Sequence, residues 1–265
     1  MTTKHDFFLR KWYLDCVADN GDTCIGYAAT LQWKAFKLHY SSITSTQGNA
    51  ASTTKTSLGE SSVPQIKDRQ IEWVSKPLDL VGTWTASAEP IQQRLYESDE
   101  GIVTWSCLQP LSRVNVSFGK KTHLEGLGYA ELLELTIKPW QLPITELRWG
   151  RYLSERDALV WIDWRGAVPL SMVFHNGKQI QDALIGDHHI VFDRGRTELS
   201  LTEPVELRKG ILVSTALSSI PRVETVLPVR MLRTYECKWR SKGAMATDGS
   251  VKSTGWSIHE IVRFP

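Results

Sequence analysis

Apolar and polar residues alternate at period two through most of this chain, and the period of a helix is hard to find. Successive residues of a strand point to opposite faces, so the pattern predicts short strands with one face more apolar than the other. Gly, Pro, Asn or Asp bounds the segments, and these are the residues that turn a chain. The first hairpin is the clearest case. Trp12 to Ala18 and Cys24 to Trp33 flank Asp19-Asn20-Gly21-Asp22, where Asn-Gly accepts the positive φ of a tight turn. Lys34 to Ser42 continues as a third strand. Further segments fall near 71–75, 92–97, 102–108, 113–118, 128–138, 145–152, 158–165, 168–175, 188–193, 205–215, 228–240 and 255–264. About fifteen short strands at near-even spacing predict an all-β sandwich or barrel and not βαβ units. Residues 43–66 are rich in Ser and Thr with little to bury, which predicts a loop over the mouth of a sheet.

The halves echo each other weakly. Trp12 precedes the strand pair that holds Leu31 to Leu38, and Trp149 precedes the pair that holds Trp161 to Phe174. Strand phase then singles out polar residues on apolar faces. Tyr129, Glu131, Leu133, Leu135 and Ile137 share one face, which predicts Glu131 inside beside Tyr129. Trp256, Ile258, Glu260, Val262 and Phe264 share another, which predicts Glu260 inward and His259 outward. A buried carboxylate without a partner is costly and its pKa rises, so each needs a counter-ion, a ligand or a catalytic task. Val229, Met231, Arg233, Tyr235, Cys237 and Trp239 form an apolar face with Arg233 inward, a counter-ion for Glu260 or Glu131. Asp163 shares a face with Trp161, where it either lines a pocket or opens the turn Asp163-Trp164-Arg165-Gly166.

Composition narrows the class. The chain has 265 residues, room for one large β domain or two ordinary ones, and its 23% charged and 42% hydrophobic residues are those of a folded protein. Its 31 basic and 29 acidic residues are mixed along the chain with no basic run, so nucleic acid is not an expected partner. Eleven Trp fit an aromatic β core or a concave apolar surface. Cys16, Cys24, Cys107 and Cys237 form no CxxC pair; Cys16 and Cys24 would face each other across the first hairpin, and the expectation is reduced thiols. The Phe7-Phe8-Leu9 cluster is too short for a signal segment, and no run of ~18 apolar residues crosses a membrane, so a cytoplasmic protein is expected. No HxH, HExxH or GxSxG pattern occurs; His123 and His175 are either acid/base groups or ordinary hydrogen-bonded histidines.

Trp105-Ser106-Cys107-Leu108-Gln109-Pro110, Gly126-Leu127-Gly128-Tyr129-Ala130-Glu131, Trp140-Gln141-Leu142-Pro143-Ile144, Leu147-Arg148-Trp149-Gly150-Arg151 and the closing Gly255-Trp256-Ser257-Ile258-His259-Glu260 carry a resemblance. Together they resemble the AttH-like and carotenoid 1,2-hydratase (hydroxyneurosporene synthase) superfamily, by motif over residues 100–175 and by topology elsewhere. The resemblance implies two lipocalin-like (calycin) antiparallel β-barrel or sandwich halves, drawn at 1–118 and 119–265. It also implies hydratases, cyclases or isomerases of apolar substrates that use no metal or organic cofactor. In the carotenoid hydratases the Gly-Tyr motif carries a His-Asp-His-Asn cluster. Here that place reads Gly128-Tyr129-Ala130-Glu131-Leu132-Leu133-Glu134, so the cluster is missing and only the carboxylate of Glu131 remains.

The expectation is a cofactor-independent enzyme on an isoprenoid, polyketide or other apolar specialised metabolite, working by cyclisation, hydration or isomerisation. Glu131 is its expected general acid or base, and Tyr129 and Glu260 orient the substrate or share the proton. Trp140, Trp149 and Trp161 would shape the cavity and stabilise positive charge, with Asp163, Arg233 and Tyr235 beside them. A non-catalytic carrier of an apolar ligand fits the same residues, and so does a closed structural core. The expected partner is an apolar small molecule, with neither nucleic acid nor a membrane span, in a monomer or homodimer.

Overall fold

The computed structural model describes residues 6–59, 62–120, 122–215, 217–220, 223–225 and 227–265. It divides into two compact units, Met1–Leu142 and Pro143–Pro265. In the first unit the strands are β1 (Phe7–Val17), β2 (Thr23–Trp33), β3 (Phe36–Thr46), β4 (Thr53–Leu58), β5 (Gln65–Lys67), β6 (Gln70–Ser75), β7 (Leu80–Ala86), β8 (Ile91–Ser98), β9 (Gly101–Phe118) and β10 (Thr122–Leu135). They lie in the order β4-β3-β2-β1-β10-β9-β7-β6-β5, with β8 on β9. In the second unit they are β11 (Ile144–Leu153), β12 (Ala158–Gly166), β13 (Leu170–His175), β14 (Lys178–Ile180), β15 (Leu184–Ile185), β16 (His189–Phe192), β17 (Thr197–Ile211), β18 (Tyr235–Thr247) and β19 (Ser250–Arg263). Their order is β14-β13-β12-β11-β19-β18-β17-β16-β15.

Both orders follow one rule. The first strand of each unit pairs with its last at the centre of the sheet, and antiparallel meanders run outward to the two edges. The echo in the sequence has this physical basis: Trp12 stands on the first strand of one unit and Trp149 on the first strand of the other. The fold is all-β, two curled antiparallel half-barrel sheets.

Several elements differ from the sequence reading. The boundary drawn at 118/119 gives way to one at 142/143, because β10 is hydrogen-bonded between β1 and β9 and belongs to the first sheet. About half of the stretch 43–66 is strand: its Ser and Thr side chains pair across β3 and β4, as Thr44 does with Thr54 at 2.9 Å. Residues 60 and 61 of that stretch lie outside the described residues. The segments 102–108 and 113–118 merge into β9, which passes through Pro110. Val229–Leu232 coils into a single helical turn, α1, entered through Pro228, so β18 starts only at Tyr235.

Each sheet packs one face around its own core. Trp12, Leu14, Cys16, Cys24, Trp73, Trp84 and Leu132 belong to that of the first unit. Tyr152, Leu159, Trp161, Val173, Leu199 and Met245 belong to that of the second. Removing one such buried Trp side chain would cost about 3–5 kcal/mol. Two of these indoles satisfy their N–H inside the first unit: Trp84 Nε1 donates to the Asp15 carbonyl and Trp73 Nε1 to that of Ser62, each at 2.8 Å. Gly26 is required beneath Trp73, since a Cβ there would lie 2.4 Å from its ring. Cys16 and Cys24 are register partners, and no disulfide joins them. Burial, with Cys16 and Asp15 close by, pushes the Cys24 thiol well above its ordinary pKa. Among the described residues no helix is long and apolar enough to cross a membrane.

Candidate active site

The first unit gathers a polar and aromatic cluster on the sheet face opposite its core. Ala130 and Leu132 of β10 pack into the core, so their neighbours Tyr129 and Glu131 point the other way, yet both are buried. The sequence phase joined these two residues and put them inside, as their burial shows; the other face of the strand is buried as well. Tyr129 donates its hydroxyl to Glu131 Oε2 at 2.7 Å, and the Trp105 indole donates to the same oxygen at 2.6 Å. Cys107 stands next to Tyr129, close enough for each to shift the other's titration. Burial pushes both the Tyr129 phenol and the Cys107 thiol well above their ordinary pKa, so both keep their protons at neutral pH.

Backbone geometry delivers this arrangement. From Gly128 to Glu131 strand β10 advances three residues, while the partner β9 advances five, from Ser112 to Cys107. The surplus lies around Pro110, which has no N–H to offer the ladder, and the irregularity re-aims β9 so that Cys107 stands opposite Glu131. On the other side β1 approaches closely: a Cβ on Gly128 would lie 2.2 Å from the Asp15 carbonyl oxygen.

Strand β1 repeats the motif. Tyr13 donates to Asp15 Oδ2 at 2.8 Å, and the antiparallel register sets Tyr13 opposite Glu131 and Asp15 opposite Tyr129. Two tyrosine–carboxylate pairs thus stand side by side and head to tail. The Tyr13 ring meets Tyr129 edge-on at 6.0 Å and Tyr27 at 5.4 Å. The sequence reading missed Tyr13, Asp15, Trp105 and Cys107. Tyr13-x-Asp15 matches Tyr129-x-Glu131 at period two, and that was the signal available.

The other expected site residues are distributed differently. Glu260 belongs to the second unit, where Lys238 Nζ meets its Oε2 at 2.6 Å and lies 5.1 Å from the Trp149 ring centre. Lys238 is therefore the counter-ion of Glu260. Arg233 is exposed at the end of α1, off the strand, because Pro228 starts a helical turn there. Tyr235 opens β18, half-buried opposite Arg263. The face of Trp149 already carries an ammonium. Trp161 faces the core, tight over Gly150, where a Cβ would lie 2.2 Å from its ring. Trp140, in a helical turn of the first unit, packs edge-on against Phe7 and Trp33.

Asp163 is held by Arg165 at 2.9 Å, within a network in which Glu146 binds Arg148, Arg165 and Arg263. Burial alone would raise the Glu146 pKa, but hydrogen bonds from Arg148 and Arg263 outweigh it and hold the carboxyl below its usual range. His259, expected to face outward, is buried instead. It stacks on Trp239 at 5.2 Å and bonds Ser241 Oγ at 2.9 Å, and burial pulls its pKa down to about 4. Among the described residues no group of three or more His, Cys, Asp or Glu side chains could hold a metal ion.

No protein-family model matches the chain, and no curated protein sequence does. Solved structures match it along nearly its whole length. One is a protein assigned as an AttH from Nitrosomonas europaea, 10% identical, covering 98% of this chain and 96% of its own, with a TM-score of 0.57. CghA in complex with Sch210972 is 10% identical over 97% of this chain and 89% of its own, with a TM-score of 0.56. Kievitone hydratase from Nectria haematococca is 11% identical over 96% and 88%, with a TM-score of 0.52. At such identities the likeness is one of fold, and the fold is the one the sequence motifs implied: this chain has the architecture of the AttH-type proteins, CghA and kievitone hydratase.

Proposed function

We propose that the protein is a cofactor-independent enzyme acting on an apolar small molecule of isoprenoid, polyketide or related type, by acid/base-catalysed hydration, cyclisation or double-bond isomerisation. The observation that carries this reading is the convergence of the Tyr129 hydroxyl and the Trp105 indole on one oxygen of the buried Glu131. Glu131 in its acid form gives a proton to an alkene carbon, and these two donors stabilise the carboxylate left behind. The cation is then quenched in one of three ways. Water adds while its proton returns to Glu131, a second double bond closes a ring, or a neighbouring carbon loses a proton. Each route restores the acid. The aromatic ring of Tyr13, set opposite Glu131 by the strand register, suits a developing positive charge. The shared fold with a protein named as a hydratase supports the same class.

The test is turnover in H2(18)O on kievitone and on isoprenoid and polyketide alkenes, followed by mass spectrometry. Hydration adds one labelled water, whereas cyclisation or isomerisation leaves the mass unchanged and moves the retention time. Glu131→Gln keeps the shape and should abolish turnover while substrate affinity holds, and Tyr129→Phe should slow it about 10²-fold. Turnover retained in Glu131→Gln rejects the assignment. Binding without turnover in the wild type would leave a carrier.

A further inference from the structure

The second unit holds a cavity of about 480 Å³ at the end of its sheet where the β11–β12, β13–β14, β16–β17 and β18–β19 turns lie. Asp157, from the first of these turns, accepts two hydrogen bonds on different oxygens. Ser253 Oγ donates to its Oδ2 at 2.5 Å, and His175 Nε2 lies 2.8 Å from its Oδ1. Ser253 has one proton and spends it on Asp157, so in its 3.1 Å contact with Tyr152 it is the acceptor. The chain of donors running out from the buried Tyr152 thus ends on Asp157, which holds both partners as a carboxylate. This orients the imidazole: Nε2 carries a proton toward Asp157, and whenever the ring is neutral Nδ1 is its acceptor. Among the described residues Nδ1 has no hydrogen-bond partner.

Beside His175 the lining turns apolar. Phe192 lies 5.6 Å from the imidazole at a tilt, and Ile180 and Met245 complete an apolar floor. A flat aromatic body suits that floor, and a hydrogen-bond donor suits the imidazole. The lining carries charge of both signs, Asp157, Asp182 and Asp193 with Lys252, and Asp193 is paired with Arg196, so no net charge calls for an ionic ligand. We propose that this cavity is a ligand site of the second unit for a neutral hydroxyaromatic molecule, whose O–H donates to His175 Nδ1 while its ring lies against Phe192. The site uses no residue assigned to the chemistry of Glu131.

The experiment uses the full chain labelled with 15N in its histidine rings and two probes of the same shape, 2-naphthol and 2-methoxynaphthalene. Long-range 1H–15N spectra should show the His175 proton on Nε2, and 2-naphthol should shift the Nδ1 resonance in a saturable way. It should bind about ten-fold more tightly than the methyl ether, the factor one hydrogen bond supplies. His175→Phe keeps an aromatic ring but removes the acceptor, and should lower 2-naphthol to the affinity of the ether. Equal binding of the two probes to the wild type overturns the proposal, as does an unmoved His175 at the solubility limit of 2-naphthol. Undiminished 2-naphthol binding in a folded His175→Phe overturns it too; should that variant not fold, the wild-type comparison decides. Glu131→Gln should leave 2-naphthol binding unchanged, so this site stands or falls apart from the acid/base reading; a loss there would place the probe elsewhere and overturn the assignment.

Discussion

His259 is kept neutral by its surroundings. Removal from water is the main cause of its low pKa of about 4, with the positive charges of His188 and Lys238 adding to it and the carboxylate of Glu260 opposing. This ties stability to pH with a definite sign. The unfolded chain takes up the proton near pH 6.5, and the folded chain only near 4. Stability is therefore whole above pH 6.5 and drains away as pH falls toward 4, by about 3 kcal/mol over that window. His259→Phe keeps a ring against Trp239 and has nothing to titrate. Urea denaturation from pH 7 to pH 4 should give a clearly shallower loss in this variant than in the wild type. Equal slopes would mean that the folded protein protonates His259 at its ordinary pKa. Glu146 weakens the fold at acid pH in both proteins, since its pKa is held low, so the difference between them isolates the histidine.

At the scale of the element, β10 explains both the success and the limit of the sequence pattern. Period two joined Tyr129 to Glu131 because no side-chain environment alters which residues of a strand share a face. The same argument assigns the second face to solvent, and that step fails for a strand buried on both sides. Ala130 and Leu132 are as buried as Tyr129, and in β19 His259 is as buried as Ile258. Nor does alternation carry register, so the pairing of Lys238 with Glu260 across β18 and β19 was not legible, and Arg233 took its place. The glycines flanking Leu127 were read as motif residues only; their physical role is the close approach of β1. Gly128→Ala puts a Cβ 2.2 Å from a backbone oxygen of Asp15, which cannot swing aside as a side chain would. The expected cost is about 2–3 kcal/mol. Amide exchange in β1 near Cys16 should quicken together with that of Tyr129 and Glu131, because all three stand on this one seam. Exchange no faster than in the wild type would show that the strands accommodate the methyl group.

For the molecule as a whole, the joining of first and last strands sets what each sheet tolerates. In the second unit β19 lies between β11 and β18, at the middle of the order, although it comes last of that unit's strands along the chain. Its pairing with β11 closes a loop of more than ~100 residues, so the centre of the sheet forms only after a large loss of chain entropy. Once in place, β19 also carries Glu260 against Lys238 and His259 against Trp239 of β18 on its other side. A chain ending at Gly249 would lose all of this at once and leave β11 and β18 as two open edges where the sheet was continuous. It should lose the cooperative unfolding of residues 143–249, seen as exchange of the β11, β12 and β18 amides at the rates of an unfolded chain. The edges obey a different rule. Leu184, on the two-residue edge strand β15, is 71% exposed, and Leu184→Asp should shift stability by less than about 0.5 kcal/mol. If the shortened chain kept protected amides in β11, the closure of first strand on last would be dispensable, and the shared strand order of the two units would need another cause.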